Sequence, residues 1–218
     1  MVSKDVKLIE YSKSVDRGNC ITHAIGAVLS AAAVIAMLIS ASGARCIVSA
    51  VIYGISLLAV YTASAVYHGL KNGEAKRIAR LLDHSAIPLL IAGTTTPCAL
   101  VALYDISAFH GIAVLCAAWF CALFGLISKI FFFEKLKSVT MAVYIICCAA
   151  MLLSAVPVMG EMEKGSFELI AAGCISYVIG AVFCYFGIKR EKLHVVFHLF
   201  VLLGSAIHFY AIYTFIIR

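Results

Sequence analysis

The chain has 218 residues, of which 64% are hydrophobic and only 13% charged. So few charges cannot cover a surface facing water, so a soluble domain is excluded, and so much apolar content excludes a disordered chain. Lys and Arg total 17 against 11 Asp and Glu, and nearly all of them fall in short clusters separated by long apolar runs.

The first 19 residues are polar and include Lys4, Asp5, Lys7, Glu10, Lys13, Asp16 and Arg17. This is not the pattern of a cleavable signal peptide, whose apolar segment comes earlier. Seven runs then follow: Gly18–Ala44, Cys46–Leu70, His84–Tyr104, Ile106–Ser128, Ser138–Gly160, Leu169–Ile188 and Leu193–Ile217. Each is long enough to cross about 30 Å of hydrocarbon at about 1.5 Å per residue. In lipid the backbone must satisfy its own hydrogen bonds, and no alternating ten-residue segments suggest a barrel. The expected fold is therefore all-α: an integral membrane bundle of seven transmembrane helices, with a tail at 1–17 and the bundle at 18–218.

With seven crossings the two ends lie on opposite sides. Lys4, Lys7, Lys13, Arg17, Lys71, Lys76, Arg77, Arg80, Lys129, Lys135, Lys137, Lys189, Arg190 and Lys192 fall on the side of the tail, and Arg45, Lys164 and Arg218 on the other. This division predicts a cytoplasmic N-terminus and an outer C-terminus by the positive-inside rule. It accounts for the basic loops through topology and headgroup attraction, without a nucleic-acid partner. The cell membrane is the expected location. The nine Cys lie in or beside apolar runs without a C-x-x-C pair, a distribution read as packing thiols rather than disulfides or thiolate ligands.

Within the third run, Pro88 and Pro97 should interrupt the hydrogen-bond ladder, and the hydroxyls of Thr94, Thr95 and Thr96 are candidates to satisfy the freed carbonyls. The segment either kinks for structural reasons or shapes a cavity.

Ionisable groups inside membrane helices are costly, so they are where function is first sought. His23, His68, His84, His194 and His198, with Asp83 and Ser64, all fall near the basic ends of their helices. A single histidine there could simply keep a wet polar tip. His194 and His198, however, are four residues apart, so both rings leave one helical face about a turn apart. That is how one helix offers two nitrogens to a metal ion, and His68 could supply a third. Three histidines with one open position form a catalytic zinc arrangement. Asp83 could act on a coordinated water or orient a ligand, and Ser64 lies one turn before His68. His208 reads as a packing residue, His110 as a loop residue, and His84 points about 100° away from Asp83 along the helix.

These residues carry a resemblance. Asn19-Cys20-Ile21-Thr22-His23-Ala24-Ile25-Gly26-Ala27, Ser64-Ala65-Val66-Tyr67-His68, Leu82-Asp83-His84-Ser85-Ala86-Ile87, Ile91-Ala92-Gly93-Thr94-Thr95-Thr96-Pro97, and His194-Val195-Val196-Phe197-His198 with His208-Phe209-Tyr210 resemble the hemolysin III family. That family belongs with the progestin and adipoQ receptors and, more distantly, the alkaline ceramidases. The resemblance runs from Asn19 to Tyr210. It implies a seven-helix fold, His68, His194 and His198 as zinc ligands, Asp83 as the residue holding the zinc-bound water, and Ser64 beside the metal. The family pattern carries acidic residues ahead of the Asn, and here Asp16 is the candidate, with Val15 in the other place. Pro88 and Thr95 stand where the family often has aromatic residues.

Three functions follow as expectations. One is a zinc-dependent hydrolase acting on a membrane lipid amide, with Asp83 relaying a proton and Ser64 orienting water or the oxyanion. Another is a pore-forming cytolysin. The third is a receptor-like homeostasis protein with a structural zinc. The implied partner is a membrane lipid, as substrate or ligand.

Overall fold

The computed structural model describes residues 6–218. Among them there are helices and no strands. Seven helices are long and apolar enough to cross a membrane: α1 (Lys13–Ser40), α2 (Gly43–Gly69), α3 (Glu74–Pro97), α4 (Ala108–Phe132), α5 (Lys137–Ala155), α6 (Ser166–Gly187) and α7 (Lys192–Ile212). The chain is thus an integral, multi-pass membrane protein. Connections are short, at residues 41–42, 70–73, 133–136 and 188–191, with Ser107 alone between the α3 segment and α4. The extended backbone of Ser107 ends one helix, and its hydroxyl accepts the His110 N–H at 3.4 Å to start the next. Gly165 precedes α6 with φ of +92°, a left-handed conformation that disfavours a side chain.

Neighbours in sequence pack side by side, and α1 also packs on α7, which brings the first and last helices together. Polar Asn19, His23 and Ser30 share the buried stripe of α1 with Val15, Gly26, Ala33 and Met37. The core between α1, α2, α3 and α7 is built on Met37, Tyr53, Leu57, Tyr61, Leu90 and Ile212. Small residues let helices approach: a Cβ on Gly26 would collide with the Tyr61 ring, and one on Gly173 with the His208 imidazole. Tyr61 in turn donates to Ser205 Oγ at 2.6 Å, and Tyr177 shares that hydroxyl at 2.8 Å, so a hydroxyl relay ties α2, α6 and α7. At the end away from the tail, Arg45 pairs with Asp105 at 2.7 Å, an exposed bridge between α2 and the α3 segment worth about 0–1 kcal/mol.

The apolar runs mislead at three helix ends. α1 begins at Lys13, so Asp16 and Arg17 are helical. α3 begins at Glu74, ten residues before the apolar run at His84, so Lys76, Arg77 and Arg80 are helical and Asp83 sits in its third turn. Lys129 lies inside α4 and is buried. The cause is the same in each case: charged, amphipathic turns continue the helix but have no apolar signature.

The prolines also act differently from expectation. α3 continues through Pro88, and after Pro97 the ladder widens into π-helix over Cys98–Leu103 before α-helix resumes at Tyr104–Ile106. Pro97 removes the donor to the Gly93 carbonyl. The threonine hydroxyls do not replace it: Thr95 donates to the Ile91 carbonyl at 2.8 Å and Thr96 to Ala92 at 2.7 Å.

Replacing Gly26 by Leu should force Tyr61 out of its place and cost about 1–3 kcal/mol. A lowered thermal midpoint in detergent checks this, and an unchanged midpoint would show that the α1–α2 contact can reopen freely.

Candidate metal centre

The i, i+4 spacing on α7 puts His194 and His198 on one face, their rings 4.9 Å apart. The α2–α7 proximity then brings His68 against both, at 5.0 Å from His198 and 5.5 Å from His194. One nitrogen from each of the three lies within 4.8 Å of the others. His68 and His198 are buried and His194 half-buried.

The surroundings decide which nitrogens face each other. His68 Nδ1 lies 2.9 Å from Asp16 Oδ1, and the other carboxylate oxygen accepts from Lys76 Nζ at 2.7 Å. A carboxylate only accepts, so His68 carries its proton on Nδ1 and leaves Nε2 as a lone pair. That Nε2 is buried and has no partner among the described residues, an orphan acceptor beside the cluster. His198 follows the same logic. Thr22 donates its hydroxyl to the Asn19 carbonyl at 2.9 Å, so its oxygen is available to accept from His198 Nδ1 at 3.4 Å. A carboxylate or hydroxyl behind each imidazole is the usual support of a metal-binding histidine. The donor set fits an imidazole-preferring ion.

Ser64 is buried on α2, and its hydroxyl faces the Asp83 carboxyl of α3. Asp83 is not one of the converging donors, and Tyr67 and Cys184 lie near it. His84 turns away and lies edge-on to Phe133. His208 is buried in α7, with Nε2 2.9 Å from the Ile170 carbonyl, and packs with Tyr177. His110 lies at the other end of the bundle, at the start of α4.

Several contributors escape the motif search. His23 stacks on His198 at 3.7 Å and meets Tyr61 edge-on, both its nitrogens buried without a hydrogen-bond partner among the described residues. Asp16 is more than a counterpart of a family position, since it holds both His68 and Lys76. The spacing 16, 19, 23, 26 on one face of α1 was the available signal. Tyr11, ahead of α1, stacks on His194 at 5.1 Å and closes the site from the tail side. Burial pushes its phenol well above the ordinary range, so it remains neutral. The tail is fixed there by the Ser12 N–H, which donates to Glu191 Oε2 at 2.7 Å and holds that carboxyl below its usual range.

The chain matches the family described as Haemolysin-III related over residues 11–209. It is 34% identical to Hemolysin-3 of Bacillus cereus over 223 aligned positions, covering 100% of this chain and 98% of the relative. It is also 34% identical to a Hemolysin-3 homolog of Bacillus subtilis (strain 168), covering 92% and 93% respectively.

Asp16→Asn removes the acceptor charge behind His68. Divalent-metal affinity, measured by chelator competition, should fall about 10–100-fold. The variant also leaves Lys76 buried without its anion, at a cost of about 3–5 kcal/mol. Adding Lys76→Met should restore the thermal midpoint without restoring metal affinity; recovery of both would assign Asp16 to Lys76 alone.

Proposed function

The chain belongs to the haemolysin-III-related family of integral membrane proteins, and from that footing we propose that its histidine cluster is a catalytic zinc centre that hydrolyses an amide of a membrane lipid. The observation that carries this reading is the convergence of His68, His194 and His198 with an unpartnered, buried His68 Nε2 whose opposite nitrogen is fixed by Asp16. Three neutral imidazoles and one open position suit catalytic zinc.

When bound, zinc would supply a Lewis acid for the carbonyl and an activated water near neutral pH. The remaining work belongs to the chain. His68, His194 and His198 would hold the ion. Asp83 receives a proton from the attacking water and passes it to the leaving nitrogen. Ser64 donates a hydrogen bond, either orienting Asp83 or stabilising the developing oxyanion. Asp16 keeps the His68 tautomer, and Tyr11 limits entry of bulk water from the tail side. The apolar flanks of the bundle favour a substrate arriving sideways from the lipid. The charge division between the two ends supports a cytoplasmic placement of the centre.

The word hemolysin in the names of the two relatives supports a cytolytic role instead. That role gives no use to a buried, oriented trio of histidines, so the hydrolase is preferred.

Emission spectrometry should find one zinc per chain in the wild type and none in His194→Ala. Purified protein should then turn over a ceramide-type amide in a chelator-sensitive way, and Asp83→Asn should keep its zinc while losing about 10²–10⁴-fold in rate. Zinc that stays bound while a broad lipid panel goes unhydrolysed would leave the metal structural. Conductance in planar bilayers by wild type and His194→Ala alike would favour the cytolysin.

A further inference from the structure

A second cluster of charge lies beside the metal centre, where the start of α3 meets the end of α4. Arg80 and Lys129 are both 6% exposed. Both cations address the same ring, that of the buried Phe133, at 5.0 and 5.4 Å from its centroid. His84 meets that ring edge-on from α3.

The charges do not balance. Arg80 donates from one terminal nitrogen to Glu134 at 3.2 Å, but that carboxylate is shared with Lys137, also at 3.2 Å. Arg80 Nε is buried and, among the described residues, has no partner. Lys129 makes no ion pair or hydrogen bond among the described residues. Arg80, Lys129 and Lys137 thus gather around Glu134, with Asp83 the other carboxyl near Arg80, so the cations still outnumber the carboxyls. The Phe133 face offsets only part of the excess. Topology alone accounts for exposed lysines such as Lys135, but it does not account for cations turned inward, because a buried charge needs a counter-charge.

We propose that Arg80 and Lys129 form a binding site for one phosphate group, carried by an anionic lipid headgroup at the basic face of the bundle. Arginine offers a planar fork to two oxygens and lysine a point charge to a third, a combination suited to a phosphate. Arg80 is one turn from Asp83 along α3, so a lipid held by its phosphate here would lie with its chains beside the histidine cluster. The inference does not rest on the zinc reading, and its readout is binding, which can be measured after the metal has been stripped.

The test uses the full chain in a neutral detergent, titrated with dioleoyl phosphatidylglycerol, dioleoyl phosphatidylcholine and inorganic phosphate, with bound lipid counted by native mass spectrometry. Phosphatidylglycerol should bind saturably, one per chain, at least about tenfold more tightly than phosphatidylcholine. Lys129→Gln and Arg80→Gln should each weaken it about tenfold or more, and Lys135→Gln, at an exposed position nearby, less than about twofold. Arg80→Lys keeps the charge but loses the fork, and an intermediate loss is expected even where Arg80→Gln does not fold. Inorganic phosphate that binds alone with the same dependence on Lys129 supports the site with free phosphate as its source; lipid binding that phosphate does not displace supports the headgroup. Equal loss in Lys129→Gln and Lys135→Gln, or no preference for the anionic lipid, overturns the proposal.

Discussion

Everything in this bundle follows from one constraint: a polar atom held in hydrocarbon must find its partner inside the protein. The helices answer it for the backbone. Where Pro97 interrupts the ladder, the chain shifts into a π-helical turn rather than leaving the helix. Where side chains are polar, they pair across helices, as Tyr61, Ser205 and Tyr177 do. The same constraint explains why Lys76 is tolerated almost fully buried: Asp16 reaches it from α1, and the other oxygen of that carboxylate is committed to His68. Structural neutralisation and orientation of a ring in the histidine cluster are thus the work of one side chain.

Against that background the unpartnered atoms stand out. His68 Nε2 and both nitrogens of His23 gather around His198, in the layer between α1, α2 and α7. Isolated hydroxyls such as those of Ser49, Thr94 and Tyr144 are also unpartnered among the described residues, but only at the histidines do several such atoms meet in one layer. Arg80 and Lys129 depart from the rule in the opposite sense, as donors exceeding their acceptors. The two departures, one electron-rich between α1, α2 and α7 and one cationic between α3 and α4, lie at the end of the bundle where its charge is concentrated.

How much of this could be read beforehand depended on whether a feature was local. The number of helices was legible because apolar length is a local property of the chain. His194 and His198 were legible because a four-residue spacing fixes their relation within one helix, and His68 because its depth could be counted from the ends of α2. The start of α3 was not, because Lys76, Arg77 and Arg80 look like a loop when only hydropathy is read, and their inward or outward direction depends on the neighbouring helix. Asp16, Tyr11 and His23 act across α1–α2 and α1–α7 contacts. Their partners lie on other helices, far along the chain, and nothing in the local pattern names those partners. Asp83 was read as acting beside the metal rather than as a ligand, but its pairing with Ser64 required the α2–α3 packing.

The attachment of the tail has a consequence for variation among related chains. The Ser12 contribution to Glu191 comes from the main-chain N–H. Any amino acid can stand at position 12 and still make it, with proline as the exception because it lacks that hydrogen. Position 191, by contrast, acts through its side chain and is confined to residues that can offer an acceptor at that reach. A latch of this kind can drift freely on one side while being held on the other. A comparison of relatives column by column would find its signature at position 191 and miss it at position 12.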